Sequence, residues 1–288
     1  MGDLPETKLR ETTLSDPEGI LVEGGDEVGV LVLSGSSGRI EADRCRLLAA
    51  QGMTAASIRW FGSAGQADSV DRVPLETFDG ILADLHARCR RLAVLGTSRG
   101  AEAALLLGSL HAELDAVVAF SPSDVVWAAL GTERPQRTSW TLKGEPLPFV
   151  PYDDGWDFGE TEGPRAYVDM YCHALELFAD RVPAARIPVE RIDAKVVVVA
   201  GEADELWPSA LFAEGVRRRR AAARKQTVVV THPRAGHRVV LPGEQPLPAA
   251  ATRSYGGDDV SDAELGALAW PQVMAALRGV GGKRSRRM

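Results

Sequence analysis

The octapeptide LGTSRGAE, residues 95–102, places a serine between two glycines at the junction of two sequence patterns. The apolar run RLAVLG precedes Ser98, and the helix-like AEAALLLGSL follows it. A strand–turn–helix junction with G-x-S-x-G is typical of a nucleophile elbow, in which a strained turn exposes the serine hydroxyl. Gly96 and Gly100 would permit the tight backbone that this turn needs. The five-residue pattern also arises by chance, so the rest of the chain must decide whether Ser98 is catalytic.

A serine hydroxyl becomes a good nucleophile only when a histidine takes its proton and an acid orients that histidine. The strand candidate KVVVVAG runs directly into EADELWPS, which puts Asp204 at a strand's carboxyl end. The next strand candidate, TVVVTH, runs into PRAGHRVV and brings His237. The three residues thus follow three separate strands in the serine–acid–histidine order typical of the α/β-hydrolase fold. We predict that Ser98, Asp204 and His237 form a catalytic triad.

Neighbouring residues offer alternatives for the acid and the base. Glu202 and Glu205 lie on the same loop as Asp204, which is preferred because of its offset from the strand. His232 lies closer to its strand than His237 and precedes a proline, whereas a Gly-His turn is the commoner form of a catalytic histidine loop. The remaining histidines lie in helical patterns and are interpreted as structural or surface residues: His86, His111 and His173.

Two main-chain N–H groups should stabilise the oxyanion that forms when the serine attacks a carbonyl. The first is predicted to be that of Arg99, at the start of the helix after the elbow. The second should come from the loop after an early strand, VLVLSGSSGR, where Ser36 and Ser37 lie between two glycines. This loop has neither a Walker sequence nor G-x-G-x-x-G, so we expect no nucleotide site there.

The elements that must position these residues alternate along the chain from about residue 20. Short β-branched runs predict strands, and amphipathic stretches between them predict helices. Strands are predicted at 19–24, 28–35, 54–61, 91–96, 116–121, 195–201 and 227–232, and helices near 39–51, 75–90, 99–111, 165–180, 209–223 and 262–279. Apolar strands separated by helices indicate an α/β protein whose mostly parallel sheet has helices on both faces. The first two strands are close enough to form an antiparallel hairpin at its edge.

Residues 122–190 break this alternation with a stretch rich in proline, glycine and aromatic residues. Ten of the seventeen aromatic residues of the chain fall between Phe120 and Phe178. Because this content argues against disorder, we interpret the segment as a cap over an apolar pocket, with an ordinary packed excursion as the alternative. The predicted organisation is an N-terminal extension at 1–18, one catalytic domain at 19–280 and a disordered basic tail at 281–288.

The composition is that of a globular protein and argues against several functions. A net charge of −7 disfavours general nucleic-acid binding. Three scattered cysteines without a CxxC pair predict buried free thiols rather than a disulfide framework or a zinc site, and no metal or cofactor is expected. There is no apolar run of ~18 residues and no signal-peptide core, which predicts a cytoplasmic protein without a membrane span. The basic run at 217–225 is interpreted as a solvated helix end, with attraction of an anionic substrate carrier as the alternative.

Several motifs together resemble the catalytic domain shared by acyl-CoA thioesterases and bile acid-CoA:amino acid N-acyltransferase. They are the elbow LGTSRGAE, TLKGEPLP at 141–148, IPVERIDAKVVVVAGEADELWPS at 187–209, HPRAGH at 232–237 and WPQVMAALR at 270–278. The resemblance implies an α/β-hydrolase with Ser98 as nucleophile, Asp204 as acid and His237 as base. It also implies a small-molecule acyl thioester as substrate, most simply an acyl-CoA, so that coenzyme A enters as part of the substrate.

Two departures from that family bear on the expected reaction. The long members carry a β-sandwich domain before the catalytic one, where this chain has about 18 residues. The nucleophile is serine where the amino-acid-conjugating members use cysteine, which favours hydrolysis over transfer to an amine. A thioesterase is therefore the leading hypothesis. The alternatives are an acyltransferase, a carboxylic ester or lactone hydrolase, and, least favoured, a non-catalytic ligand-binding scaffold.

Overall fold

The computed structural model describes residues 9–131, 134–160, 162–248 and 250–279. In this part of the chain the strands are β1 (Arg10–Ser15), β2 (Glu18–Glu23), β3 (Val28–Leu33), β4 (Thr54–Ile58), β5 (Val73–Pro74), β6 (Arg91–Thr97), β7 (Leu114–Phe120), β8 (Trp140–Leu142), β9 (Glu145–Pro146), β10 (Lys195–Gly201) and β11 (Thr227–His232). The helices are α1 (Ala42–Ala50), α2 (Asp79–Arg88), α3 (Arg99–Leu110), α4 (Val168–Leu177), α5 (Val182–Ala185), α6 (Ser209–Ala222) and α7 (Asp259–Leu277).

The main sheet has the strand order β1-β2-β4-β3-β6-β7-β10-β11. All pairs from β4 to β11 are parallel, and β2 is antiparallel to both of its neighbours. Strands β3, β6, β7 and β10 are apolar because both of their faces are buried. The predicted mostly parallel sheet is confirmed, and β10 and β11 have the bounds expected from their valine runs.

The predicted hairpin between the first two apolar strands is wrong. Strand β4 lies between β2 and β3, pairing antiparallel with β2 and parallel with β3. A Cβ on Gly24 would lie 2.1 Å from the carbonyl oxygen of Ala49, and a Cβ on Gly25 would lie 2.4 Å from that of Gly52. The chain after β2 therefore passes against the end of α1 instead of forming a tight turn. As a result, β4 and not β3 pairs with β2.

The predicted N-terminal extension contains a strand that sequence patterning missed. Arg10–Ser15 is polar and largely exposed, yet it pairs antiparallel with β2 along its full length and forms one edge of the sheet. Residues 1–8 of that extension and the predicted basic tail at 281–288 lie outside the described residues.

Helices cover both faces of the sheet, as predicted. Buried side chains of α2, α3 and α6 join one hydrophobic cluster, and those of α1 and α7 join a second one on the opposite face. The parallel strands all point their carboxyl ends toward the same edge of the sheet. Loops that follow β3, β6, β10 and β11 therefore meet at that edge, where ligands bind in open α/β sheets.

Residues 122–190 form packed structure beside this edge. Strands β8 and β9 join β5 in a small second sheet. Trp127, Tyr152 and Tyr171 pack against one another, with ring centroids between 4.7 and 5.9 Å apart. Trp140 stacks on Trp60 at 5.1 Å in the main core. The aromatic residues of the segment thus divide between the main core and a separate cluster that also contains Trp207 and Phe212.

The described residues also bear on the expected thiol and metal chemistry. All three cysteines are unpaired; Cys45 and Cys89 are buried and Cys172 is partly buried. No group of three histidine, cysteine or carboxylate side chains in the described ranges could hold a metal ion. Nor does any helix there combine the length and hydropathy that crossing a bilayer requires.

Candidate active site

Ser98 occupies a strained turn between β6 and α3. Its φ of 57° and ψ of −120° lie where a residue with a side chain is rarely found. The turn depends on both neighbouring glycines, since a Cβ on Gly96 would lie 2.0 Å from the carbonyl oxygen of Gly100, and one on Gly100 would lie 2.3 Å from that of Ser34. The glycine spacing in the sequence therefore has a steric cause, and the strain is concentrated at the serine.

Asp204 and His237 meet across the ends of β10 and β11. Oδ2 of Asp204 lies 2.8 Å from Nδ1 of His237, and both side chains are buried. Oδ1 of Asp204 accepts the backbone N–H groups of Leu206 at 2.8 Å and Trp207 at 3.2 Å. These bonds fix the carboxylate beside Nδ1 of His237. Nε2 is buried and has no hydrogen-bond partner among the described residues.

The histidine loop is held from three directions. The N–H of His237 donates to the carbonyl of Tyr255 at 2.8 Å, and its own carbonyl accepts the hydroxyl of Ser121 at 2.7 Å. Oδ1 of Asp262, on α7, accepts the N–H of Gly236 at 2.7 Å. Burial raises the pKa of Asp262 to about 6. The loop position thus depends on a carboxyl group that sequence reasoning did not single out.

The rival acid and base candidates are engaged elsewhere. Glu202 accepts the hydroxyl of Thr231, and Glu205 accepts that of Ser254. His232 lies 3.1 Å from Glu264 on the outer side of α7. Of the remaining histidines, His111 contacts Asp79 and Glu113, and His173 contacts Asp153. The structure therefore brings Asp204, and none of its neighbours, to His237.

The loop after β3 approaches the elbow closely. A Cβ on Gly35 would lie 3.1 Å from Cβ of Ser98, and Gly38 closes a turn by donating its N–H to the carbonyl of Gly35 at 3.2 Å. Ser36 and Ser37 lie within this turn. Arg99 is the first residue of α3, so its N–H has no acceptor within the helix. The candidate oxyanion donors thus flank Ser98 from two loops.

A cavity of about 720 Å³ opens at Ser98. Its walls are the loop at 35–37, one face of α1 and the segment 238–247, and His237 also lines it. None of the described residues of 122–190 lines it. The described part of the aromatic segment is therefore packed beside the site, and this cavity is lined by charged and apolar side chains from elsewhere in the chain.

The sequence did not reveal two arginine–glutamate pairs, one fully buried and one largely buried. Nη1 of Arg99 lies 2.9 Å from Oε2 of Glu102, and both side chains are fully buried. Arg44 makes a two-pronged bond to Glu244 at 2.5 and 2.7 Å. Arg44 also donates to the hydroxyl of Thr97 and to the carbonyl of Val239, the neighbours of the elbow and of the histidine loop. The available signal was a charged pair at i and i+3 in the otherwise apolar helix RGAEAALLLGSL.

Glu102 is the centre of a larger buried network. Its Oε1 accepts Nε1–H of Trp140 at 2.8 Å and the backbone N–H of Trp127 at 3.2 Å. Arg99 donates to the hydroxyls of Ser139 and Tyr152. Burial raises the pKa of Glu102, and Arg99 opposes that rise. Burial also lowers the pKa of Arg99, but Tyr152 and Glu102 outweigh it and raise the pKa above its ordinary value.

The sheet order, the serine elbow and the loops at the strand ends define the α/β-hydrolase fold. A solved structure, a putative dienelactone hydrolase from Klebsiella pneumoniae subsp. pneumoniae, shares it with a TM-score of 0.53 and 15% identity, over 94% of this chain and 98% of that one. The predicted fold class is confirmed.

More particularly, the chain belongs to the BAAT / acyl-CoA thioester hydrolase C-terminal family, whose model matches residues 82–279. Human acyl-coenzyme A thioesterase 1 is 25% identical over 263 residues, which are 87% of this chain and 59% of that relative. Mouse acyl-coenzyme A amino acid N-acyltransferase 1 is 23% identical over 262 residues, with the same two coverages. The chain thus spans about three-fifths of the length of these relatives, and the family expected from the motifs is confirmed.

Proposed function

We propose that this chain is a serine hydrolase that cleaves acyl thioesters, with an acyl-CoA as its simplest substrate. The observation that supports this most is the 2.8 Å bond between Asp204 and His237 beside a cavity that Ser98 also lines. The elbow backbone and the nearby N–H groups are the other parts that acyl transfer needs. Family membership and relatives named as acyl-CoA thioesterases favour a thioester over other acyl compounds.

In the proposed first step, Oγ of Ser98 attacks the thioester carbonyl carbon while Nε2 of His237 takes the hydroxyl proton. Asp204 stabilises the imidazolium through Nδ1. The N–H of Arg99 and that of Ser36 or Ser37 donate to the carbonyl oxygen as it becomes negative. The tetrahedral intermediate then collapses, the carbon–sulfur bond breaks, and the leaving thiolate takes the proton from His237. The products are an acyl-enzyme on Ser98 and the free thiol of coenzyme A or another carrier.

In the second step, a water molecule loses a proton to His237 and attacks the acyl-enzyme carbonyl. The same N–H groups stabilise the second oxyanion. When this intermediate collapses, Oγ of Ser98 leaves with the proton from His237, and a carboxylic acid is released. The histidine thus acts as base and acid in each half-reaction, which is why its orientation by Asp204 matters twice.

The test is a panel of acyl-CoA substrates of increasing chain length, with the released thiol measured. We expect turnover of at least one substrate by the unmodified chain and none by Ser98→Ala. Intact-mass analysis of the unmodified chain should detect an acyl adduct that Ser98→Ala lacks. Absence of turnover across the panel, or equal turnover by the variant, would contradict the proposal. Matched oxygen esters serve as the control, and a strong preference for them would favour an ester or lactone hydrolase.

An acyltransferase is the second candidate, favoured by the N-acyltransferases among the relatives. The same acyl-enzyme would then be attacked by an amine in place of water. Adding an amino-acid acceptor to the acyl-CoA assay separates the two, since transfer gives an amide product detectable by mass. If no amide forms at any concentration of the acceptor, the enzyme only hydrolyses the acyl-CoA.

We propose a cytoplasmic location for this enzyme. Its three unpaired cysteines suit a reducing compartment, since disulfides form mainly in oxidising ones. Fractionation of cells that express the full chain tests this location, and recovery in a membrane or organelle fraction would contradict it.

A further inference from the structure

The two edges of the main sheet differ in chemistry. The β1 edge carries charges: Arg10 lies 3.4 Å from Glu23, and Glu11 binds Arg46 at 2.7 Å. Charged side chains on an edge strand are a common device that prevents pairing with another chain. The β1 edge is therefore protected against pairing with another chain, as sheet edges in monomeric proteins usually are.

The β11 edge has no such protection. Its sequence TVVVTH contains no lysine, proline or charged residue other than the terminal His232. It pairs with β10 in continuous parallel register from Thr227 to His232, and no further strand pairs with its outer side in the part of the chain that the structure describes. A regular, unbulged edge of this kind leaves backbone N–H and C=O groups available to a second strand.

A stripe on α7 with two exposed apolar side chains, one on each side of Glu264, flanks this edge. His232 contacts Glu264 on α7 at 3.1 Å, which fixes the side of the helix that faces β11. Val260 and Leu268 lie four residues before and after Glu264, so they share that side. Val260 is 65% exposed and Leu268 55%. Val228 of β11 is 40% exposed and lies on the same face of the sheet as Val230, which packs in the α7 cluster.

We propose that β11 and this stripe of α7 form the interface between two copies of this chain. The five residues TVVVT, 227–231, read the same in both directions about Val229. A two-fold axis at Val229, perpendicular to the sheet, therefore puts Thr227 opposite Thr231 of the partner subunit and Val228 opposite Val230 of the partner subunit. Threonine pairs and β-branched pairs are favourable across antiparallel strands. The surface at a two-fold interface must be complementary to itself, and a palindromic strand meets this condition.

Charge favours the same arrangement. Just before β11, Arg224 and Lys225 outnumber the carboxylate of Asp193, which lies 2.8 Å from Lys225. At the far end of β11, the carboxylates of Glu202 and Glu264 outnumber Arg234. Antiparallel pairing puts the basic end of each copy beside the acidic end of the other. A six-residue strand is about 20 Å long and buries too little by itself, because a stable interface buries about 800 Å² per partner. The α7 stripe supplies the additional apolar area.

The first test is the mass of the full chain in solution, measured by light scattering during gel filtration at micromolar concentration. We expect about twice the 30.8 kDa of one chain. The double variant Val228→Lys/Leu268→Glu, at two exposed positions, should have the mass of one chain. Its melting curve should show that this single chain is still folded. Leu177→Glu, at an equally exposed leucine on α4, is the matched control and should remain dimeric. A monomeric unmodified chain, or a double variant that stays dimeric, would overturn the proposal.

The second test fixes the register. Val229→Cys places two thiols directly opposite each other at the two-fold axis, about 5 Å apart between Cα atoms, so mild oxidation should give a disulfide-linked dimer. In Val228→Cys the two thiols are about 8 Å apart along the diagonal, beyond the limit of about 7 Å for a disulfide. Both variants keep the same native cysteines, so any background is equal. Cross-linking that is absent in both, or equal in both, would overturn the two-fold pairing.

Discussion

Ser98 lies between two unlike regions of the molecule. On the packed side, Arg99 and Glu102 of α3 form a buried hydrogen-bonded network with Ser139, Trp140 and Tyr152. On the open side, which comprises the loop at 35–38, α1 and the segment 236–247, a cavity reaches the serine. Ser98 thus has a buried network on one side and an open cavity on the other.

The difference indicates how the two sides should respond to mutation. Removing a partner from the packed side leaves an uncompensated buried charge, so the main loss should be in the free energy of unfolding. Removing a group from the open side leaves the core intact, so the main loss should be in catalysis. Trp207 joins the two sides, because its ring lies 5.7 Å from the guanidinium of Arg99 and 5.8 Å from the ring of His237. Some coupling between them is therefore expected.

The largest expected effect is on the open side. Asp204→Asn should lower kcat for an acyl-CoA by about 10⁴-fold, because the amide favours the wrong tautomer of His237. The melting temperature should change little, since the amide oxygen still accepts the N–H groups of Leu206 and Trp207. Glu202→Gln, on the same loop, is the matched control and should keep nearly full kcat. A loss of kcat confined to Glu202→Gln would make Glu202 the acid, and equal losses in both variants would contradict the assignment to Asp204.

Mutations on the packed side should mainly lower the free energy of unfolding. Arg99→Met leaves Glu102 buried without its cation, which should lower the free energy of unfolding by about 3–5 kcal/mol. Arg217→Met removes the corresponding contact from an exposed pair with Glu214 and should lower the free energy of unfolding far less. Urea unfolding followed by fluorescence measures both changes. Equal losses would mean that the buried network contributes no more than a surface ion pair.

A smaller effect on catalysis is expected at Arg44. Arg44→Lys keeps the charge but loses the two-pronged bond to Glu244 and the contacts with Thr97 and Val239. Displacement of the segment that follows His237 should lower kcat/KM by about tenfold. Arg39→Lys changes an exposed single bond to Glu41 in the same cavity and should leave kcat/KM almost unchanged. If both variants behave alike, Arg44 does not position the site.

The comparison also explains which features could be predicted from the sequence. Strands β10 and β11 are valine runs with both ends marked by polar residues, so their bounds, and the loops that carry Asp204 and His237, follow from local pattern. The packed side could not be predicted in this way. Glu102 contacts Trp140, and Arg99 contacts Tyr152, only after the chain has folded. The paired residues are too far apart in the sequence for helical or strand periodicity to connect them. A long-range polar contact of this kind has no local signature.

The strand order was predicted wrongly for a related reason. The hairpin expected from the proximity of β2 and β3 is replaced by pairing of both with β4, because close backbone contacts at Gly24 and Gly25 send the chain past α1. The edge strand β1 was missed because Arg10 and Glu11 make it polar. Both errors concern which strand pairs with which, and that choice is made by tertiary packing and not by the pattern within a strand.

The smallest predicted effect concerns how pH acts on the open side through Asp262. Burial raises the pKa of this carboxyl to about 6, so the folded chain holds a proton between pH 4 and 6 that the unfolded chain has released. This group therefore adds stability as pH falls from 7 to 5, by about 1 kcal/mol, or 2–4 °C in melting temperature for a chain of this size. Asp262→Asn keeps an oxygen for the N–H of Gly236 and removes the titration. The melting temperature of the unmodified chain should thus rise relative to that of the variant over this range. Melting curves of the two proteins that stay parallel with pH would show that the carboxyl beside the histidine loop is not held in its protonated form by burial.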